Sequence, residues 1–109
     1  MPERRNEARM MCADMVEVTW RDAAGKRRRT MALLEDISAS GACLQLETPL
    51  PPDALVEWTS QDHDFHGRVR YCVYREIGYF AGVEFSPFSK WSKTAYHPQH
   101  MFDPRRLLQ

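Results

Sequence analysis

Residues 65–74 impose the first constraint on the fold. Phe65, Gly67, Val69, Tyr71 and Val73 alternate with His66, Arg68, Arg70, Cys72 and Tyr74. A period of two belongs to a strand with one face buried. The same period recurs along the chain. Cys12, Val16, Val18 and Trp20 share one parity, with Asp14 as the exception, against Ala13, Met15, Glu17, Thr19 and Arg21. A second strand is expected from about Arg27 to Glu35. Ala42, Leu44 and Leu46 mark a third, 54–59 a short fourth, and Tyr79, Ala81, Val83 and Phe85 a last. Turn signals separate them: Asp22-Ala23-Ala24-Gly25, the proline-rich 48–53, 60–64 and Arg75-Glu76-Ile77-Gly78. Three prolines in 48–53 cannot donate to a ladder, so that segment must leave the sheet. Gly67 is read as a bulge or a sharp bend of the kind barrels need.

Six antiparallel strands of this size are too few for a large two-layer sandwich, but they can close into a small barrel. The fold class expected is all-β: a small six-stranded antiparallel β-barrel with a short C-terminal helix. The helix is placed between Ser86 and Ala95, where Ser86-Pro87 supplies a cap and a first-turn proline. Phe88 and Trp91 would share a face that covers an open end of the barrel. The expected division is a loose arginine-bearing tail over 1–11, the barrel and helix over 12–96, and a C-terminal tail over 97–109. That last tail packs back, mediates a homodimer or hangs free.

Composition narrows the function classes. The 109 residues carry fifteen basic and fifteen acidic side chains, whereas a general nucleic-acid binder is usually more basic. The first thirty residues hold eight basic groups against five acidic ones, so an anionic partner near this end fits the charge. No stretch is apolar enough to span a membrane, and no apolar run follows the basic start as a secretory signal would require. Cys12, Cys43 and Cys72 are odd in number and lie in expected strands. They read as reduced thiols of a cytoplasmic protein. His63 and His66 lie near Asp62 and Asp64, but the spacing matches no metal-ligand motif, and a solvated turn accounts for them. There is no nucleophile elbow, paired-acid motif or phosphate-cradling glycine loop. A non-enzymatic role without cofactor or metal is expected.

Two segments carry the candidate chemistry. In residues 33–46, Leu33 and Leu34 lead into Glu35-Asp36-Ile37-Ser38-Ala39-Ser40-Gly41, and the third strand follows. One reading is a well-made hairpin corner, with Asp36, Ser38 and Ser40 capping backbone N–H groups and Gly41 taking a positive φ. The other is that Asp36 and Ser38 offer polar groups to a ligand at a strand end, while Gly41 lets it approach. In residues 1–9, Arg5 and Arg9 stand four apart. A guanidinium is planar, always charged and donates in a fork that matches a phosphate or the O6/N7 edge of guanine. The run Lys26-Arg27-Arg28-Arg29 is either a phosphate patch or solvated surface.

Asp36-x-Ser38-x-x-Gly41 resembles the D/N-x-S-x-x-G signature of PilZ domains, the bacterial receptors for cyclic di-GMP. Arg5-x-x-x-Arg9 is similar to that family's upstream R-x-x-x-R. Gly67-x-Val69 and Ala81-Gly82-Val83-Glu84-Phe85 look like its later strands, so the resemblance covers roughly residues 4–90. The family often has a glycine near the entry to the fourth strand, where this chain has Pro52-Asp53-Ala54. The resemblance implies a cyclic di-GMP site in which Arg5 and Arg9 contact guanine and phosphate while Asp36, Ser38 and Gly41 contact guanine from the barrel wall. Arg4, just before the motif, is placed to add a phosphate contact.

The implied function is a non-catalytic receptor or adaptor. Its tail would become ordered on the nucleotide and present a new surface to a separate effector protein. The alternative is a PilZ-like interaction module that ignores the nucleotide. A barrel for RNA or single-stranded nucleic acid has the basic start and aromatics in its favour. Neutral charge and the lack of a basic-aromatic stripe within one strand oppose it, so no nucleic-acid partner is expected.

Overall fold

Alternating sequence becomes six strands in a computed structural model that describes residues 9–60 and 63–86. They are β1 (Met10–Arg21), β2 (Arg27–Ile37), β3 (Gly41–Leu46), β4 (Leu55–Ser60), β5 (His63–Arg75) and β6 (Gly78–Phe85). Every neighbouring pair is antiparallel, and the strands close into a barrel in the order β1-β2-β3-β6-β5-β4. Closure satisfies the ladder groups that an open sheet would leave at its edges. The expected helix at 86–95 and the tails fall largely outside the described residues.

The core follows the apolar parity. Val16 and Val18 from β1, Leu34 from β2, Leu44 from β3, Phe65 and Val69 from β5 and Ala81 from β6 are buried inside. Burying one such Val, Leu or Phe side chain contributes about 1.5–3 kcal/mol. Trp58 of β4 stacks on Phe65 with ring centroids 5.3 Å apart, and Phe85 packs against both. Asp14, the parity exception in β1, is buried with that face. Leu50 from the proline-rich connection is also buried, its N–H donating to Cys72 Sγ at 3.4 Å. The three cysteines are free thiols.

The β1–β2 turn is built as its sequence suggests. The Asp22 carboxylate accepts from the N–H groups of Ala24 at 3.0 Å and Lys26 at 2.9 Å, and from Arg28 Nε at 3.0 Å. Gly25 supplies the positive φ of 81°. Arg28 is thus held at the turn. Seven residues lie between it and Asp36, eight strand steps or roughly 27 Å at the usual rise.

The register slips at three places. On β1 one residue is extra between the pairs Met11↔Asp36 and Asp14↔Leu34, and the alternating burial runs through it unchanged. The other two slips break the alternation, and the one on β5 corrects the sequence reading. Glu35 is an extra residue between the pairs Leu34↔Leu44 and Asp36↔Cys43. Arg70 is an extra residue between Val69↔Val83 and Tyr71↔Gly82. Each bulge reverses the parity beyond it. On β5 the expected face therefore splits. Phe65, Gly67 and Val69 point in, Tyr71 and Val73 point out, and Cys72 turns toward the core. Gly67, read as a bulge or bend, pairs in register with Val56 and Phe85. A side chain there would collide with Val83 and the Glu84 carbonyl, so close packing accounts for this glycine.

The entry to β4 holds a second local compromise. Ala54 N–H donates to Pro51 O at 3.2 Å, and Asp53 between them has φ of 67°. In a turn of this kind the third position favours glycine. A left-handed non-glycine residue costs about 1–2 kcal/mol, less for aspartate than for most. Asp53→Gly should therefore leave the urea midpoint unchanged or raise it by up to about 1 kcal/mol in stability, the gain being partly offset by a freer unfolded chain. Asp53→Val should lower stability by at least about 1 kcal/mol. A clearly destabilised Asp53→Gly protein would show that the carboxylate itself holds the turn.

Candidate functional site

One row of residues runs across five strands on the outer wall of the barrel. Met11 pairs with Asp36, Asp36 with Cys43, Cys43 with Gly82, and Gly82 with Tyr71. The two bulge residues, Glu35 and Arg70, flank this row. Without the extra residue at Glu35, Asp36 would continue the inward parity of Leu34. With it, Ile37 is fully buried and Asp36 faces outward.

Arg9 lies just before β1, and its Nη2 donates to Asp36 Oδ1 at 2.7 Å. The two side chains are 55% and 25% exposed, which leaves the pair open to exchange with another anion or donor. The Asp36 hydrogen bond is the main reason that the Arg9 proton is held even more firmly than usual, with burial opposing it. Burial pushes the Cys43 thiol up to about 11, and Asp36 and Glu35 add to the effect. Burial also raises the Tyr71 hydroxyl, with Cys43 and Asp36 adding and Arg9 opposing. Both groups are neutral at physiological pH.

Ser38 and Gly41 form the corner beside this row. Ser38 is 6% exposed. Its N–H donates to Gly41 O at 2.8 Å, and its hydroxyl reaches the same carbonyl at 3.4 Å. Ser40 O accepts from Phe85 N–H at 2.7 Å, tying the corner to β6. Gly41 lacks the positive φ expected for it. Its need for glycine lies in packing, because a side chain would run into the Val83 carbonyl. A pocket of about 100 Å³ lies along this wall, lined by Arg9, Ser38, Ser40, Gly41, Tyr71 and Gly82, with Arg70 and Glu84 at hand. Arg70 and Glu84 form an ion pair there.

The described structure therefore brings Arg9, Asp36, Ser38 and Gly41 to one place. Arg4 and Arg5 lie outside the described residues. Tyr71 and Arg70 were missed by sequence reasoning, which placed Tyr71 with the inward face. Among the described residues no three His, Cys, Asp or Glu side chains gather to hold a metal ion, and no helix is long and apolar enough to cross a membrane.

A comparison with family models matches the PilZ domain over residues 3–95. The chain belongs to the PilZ family. PilZ domains are non-catalytic receptor and adaptor modules of bacterial signalling, and the closed six-stranded barrel agrees with that assignment. A search of curated proteins found no match.

Glu35 gives this PilZ domain a pH signature. Burial, and then the neighbouring Asp36 charge, raise its carboxyl above the ordinary 4.5. A carboxyl with a raised folded-state pKa binds its proton better folded than unfolded. Glu35 therefore opposes folding at neutral pH, and the penalty disappears as pH falls below the unfolded value. Glu35→Gln should raise the urea midpoint slightly at pH 7, and the difference should close below about pH 4. A difference unchanged between those pH values would assign the gain to packing instead of charge.

Proposed function

We propose that this PilZ domain is a receptor for cyclic di-GMP that acts from the cytoplasm through a separate effector protein. The observation that carries the reading is the Arg9–Asp36 pair, held at 2.7 Å on the outer wall beside the Ser38–Gly41 corner. A guanidinium fork and a carboxylate are the two groups that read guanine from opposite sides. The fork donates to O6, N7 or a phosphate, and the carboxylate accepts from N1–H and the exocyclic amine. The Arg9–Asp36 pair is half exposed, so it contributes at most about 1 kcal/mol to stability. Its partners can thus be exchanged for a ligand at low cost.

The site residues in this reading are Arg5, Arg9, Asp36, Ser38 and Gly41, with Arg4 adding a phosphate contact. Asp36 and Arg9 make the polar contacts, and the Ser38–Gly41 corner sets the shape of the wall. Ligand clefts for drug-sized molecules start near about 300 Å³. The smaller pocket on this wall fits one edge of the nucleotide, and residues 1–8 supply the remaining contacts. The dianion then bridges Arg4, Arg5 and Arg9 to Asp36 and orders the tail, creating a surface for the effector.

A second reading, an interaction module indifferent to the nucleotide, has its own support. The next outward row, Met15, Leu33, Gln45, Phe80 and Val73, is mostly apolar. Met15, Met31, Val73 and Ile77 are exposed on this side, and such surface often marks a contact with another protein.

Calorimetric titration with cyclic di-GMP, with GTP and cyclic di-AMP as controls, separates the two. A charge-assisted hydrogen bond contributes about 1.5–3 kcal/mol. Arg9→Ala and Asp36→Ala should therefore each weaken binding at least about tenfold. Arg28→Ala, at the far turn, should change it little. Asp36→Ala should also leave the melting temperature without ligand nearly unchanged. Equal small losses at all three positions would reduce binding to general charge attraction, and absence of heat would favour the interaction module.

The ordering step has its own measurement. Backbone order parameters of residues 3–8, ahead of Arg9 and of Met10 at the start of β1, should be low in the free protein and rise toward barrel values at saturation. A tail equally rigid in both states would remove the switch while leaving the receptor intact.

A further inference from the structure

We infer that the outer edge of β2 over residues 27–32 docks an extended, acidic-to-apolar segment of a partner protein as an added strand. The inference is independent of the nucleotide reading, and its test needs no nucleotide. Closure of the barrel leaves this edge over. Among the described residues β2 pairs with β1 as far as Arg27, but its pairing with β3 stops at Leu33↔Gln45. β3 ends at Leu46, and the proline-rich connection then leaves the sheet. Every second residue of a strand directs its N–H and C=O toward one side. Over 27–32 the side away from β1 has no β3 partner. At the usual rise this stretch is roughly 20 Å long, enough for an ordinary strand.

Where β3 departs, a groove of about 530 Å³ opens between Met31 and Leu33 of β2, Gln45 and Leu46 of β3, and Ile77 of the β5–β6 turn. Gln45 Nε2 donates to Ile77 O at 3.1 Å, tying the turn to β3. The side chains along the edge grade from basic to apolar. On the outward face of β2, Arg27 and Arg29 are followed by Met31 and Leu33. Met31 is 51% exposed and Ile77 70%. Arg28, of the opposite parity, is held by Asp22. Arg29 meets Glu17 only at 4.0 Å, with both side chains mostly exposed. Arg27 has no ion pair among the described residues.

A partner strand therefore meets two cations at one end and apolar surface at the other. Main-chain bonds would supply affinity, and alternate side chains would set the choice of partner. The outward side chains of that strand follow the same order: two acids at alternate positions, then two apolar residues. Continued, the β2–β3 register would set Glu47 against Met31, and Glu47 lines the groove. An acid at the apolar end of the partner thus meets a like charge. A second copy would bring another arginine cluster to the same edge. The basic end discourages such self-pairing while admitting an acidic strand.

Fluorescence anisotropy of the full-length chain with labelled peptides tests this. The probe is a short threonine-rich peptide with two glutamates and then two valines at alternate positions, made in both chain directions. One direction should bind at least about tenfold more tightly than its version with lysine for glutamate. Arg27→Glu combined with Arg29→Glu should reverse that preference. Met31→Glu, at the apolar end, should weaken the glutamate peptide at least about tenfold, and carries the test if the double variant fails to fold. Methylation of the peptide's amide nitrogens separates an added strand from loose charge attraction. Methyl groups on one alternate set of residues should abolish binding, and on the other set should leave it within about threefold. Equal affinity for the glutamate and lysine peptides, equal loss from both methylated sets, or no binding in either direction would overturn the inference. A dimer in sedimentation that Met31→Glu dissolves would overturn it too, by giving the edge to a second copy. A failed nucleotide titration would leave these results standing, so the two readings fail separately.

Discussion

A strand must carry its side chains to opposite faces in turn, and this barrel depends on where that rule is broken. Glu35 on β2 and Arg70 on β5 each insert one residue against the neighbouring strand and shift the parity beyond it. Had β2 run without its extra residue, Asp36 would face the interior and Ile37 the solvent. Burying a carboxylate in that core would cost several kcal/mol without a partner, and Ile37 would forfeit its full burial. The insertion resolves both conflicts at once. The second insertion, on β5, lets Cys72 turn inward while Tyr71 and Val73 turn out. Both breaks flank the same transverse row, so displaced parity turns Asp36 and Tyr71 outward onto the wall, where Arg9 and the Ser38–Gly41 corner meet them.

This arrangement divides the Asp36-Ile37-Ser38-Ala39-Ser40-Gly41 stretch into parts with different duties. Asp36 faces outward and meets Arg9. Ile37 anchors the strand in the core. Ser38 and Gly41 close the corner on each other, and Ser40 fastens it to β6. The two readings of this segment, a hairpin corner and a ligand wall, are therefore not rivals. The corner brings β3 close enough to β6 for Gly41 to lie against the Val83 carbonyl, and that closeness holds Gly82, and Tyr71 on it, near the Arg9–Asp36 pair.

Much of the fold was legible because burial on one face writes itself as a period of two. The six strands, the Asp22 turn and the inward parity of Val16, Val18, Leu44 and Leu46 all follow from that signal. Bulges leave no comparable trace. An extra residue at Arg70 is indicated only by what β6 places opposite it, so the outward turn of Tyr71 and the regular pairing of Gly67 could not be read from β5 alone. Glycine was ambiguous for a related reason. A sequence shows that Gly41 lacks a side chain, but not whether backbone angle or a neighbouring carbonyl requires the gap. Arg9 and Asp36 were recognisable as a pair of chemistries by motif. Their contact, between residues 27 positions apart, is a product of the β1–β2 register.

The barrel also has an uneven seam. Ten residue pairs join β1 to β2, whereas β4 closes onto β1 through two, Thr19↔Glu57 and Trp20↔Val56. Cooperative structure opens first where few ladder bonds must break together. The amides nearest that closure should be the first of the described strands to exchange with solvent, while β2, β3 and β6 retain their protons longest. The same inequality orders assembly: hairpins β1–β2 and β5–β6 are local, and the seam joins strands distant in the chain, so its closure entropy is met last. The middle of the wall, Asp36, Cys43 and Gly82, lies on those slowly exchanging strands, so a ligand there would meet a rigid surface while the molecule breathes along its seam.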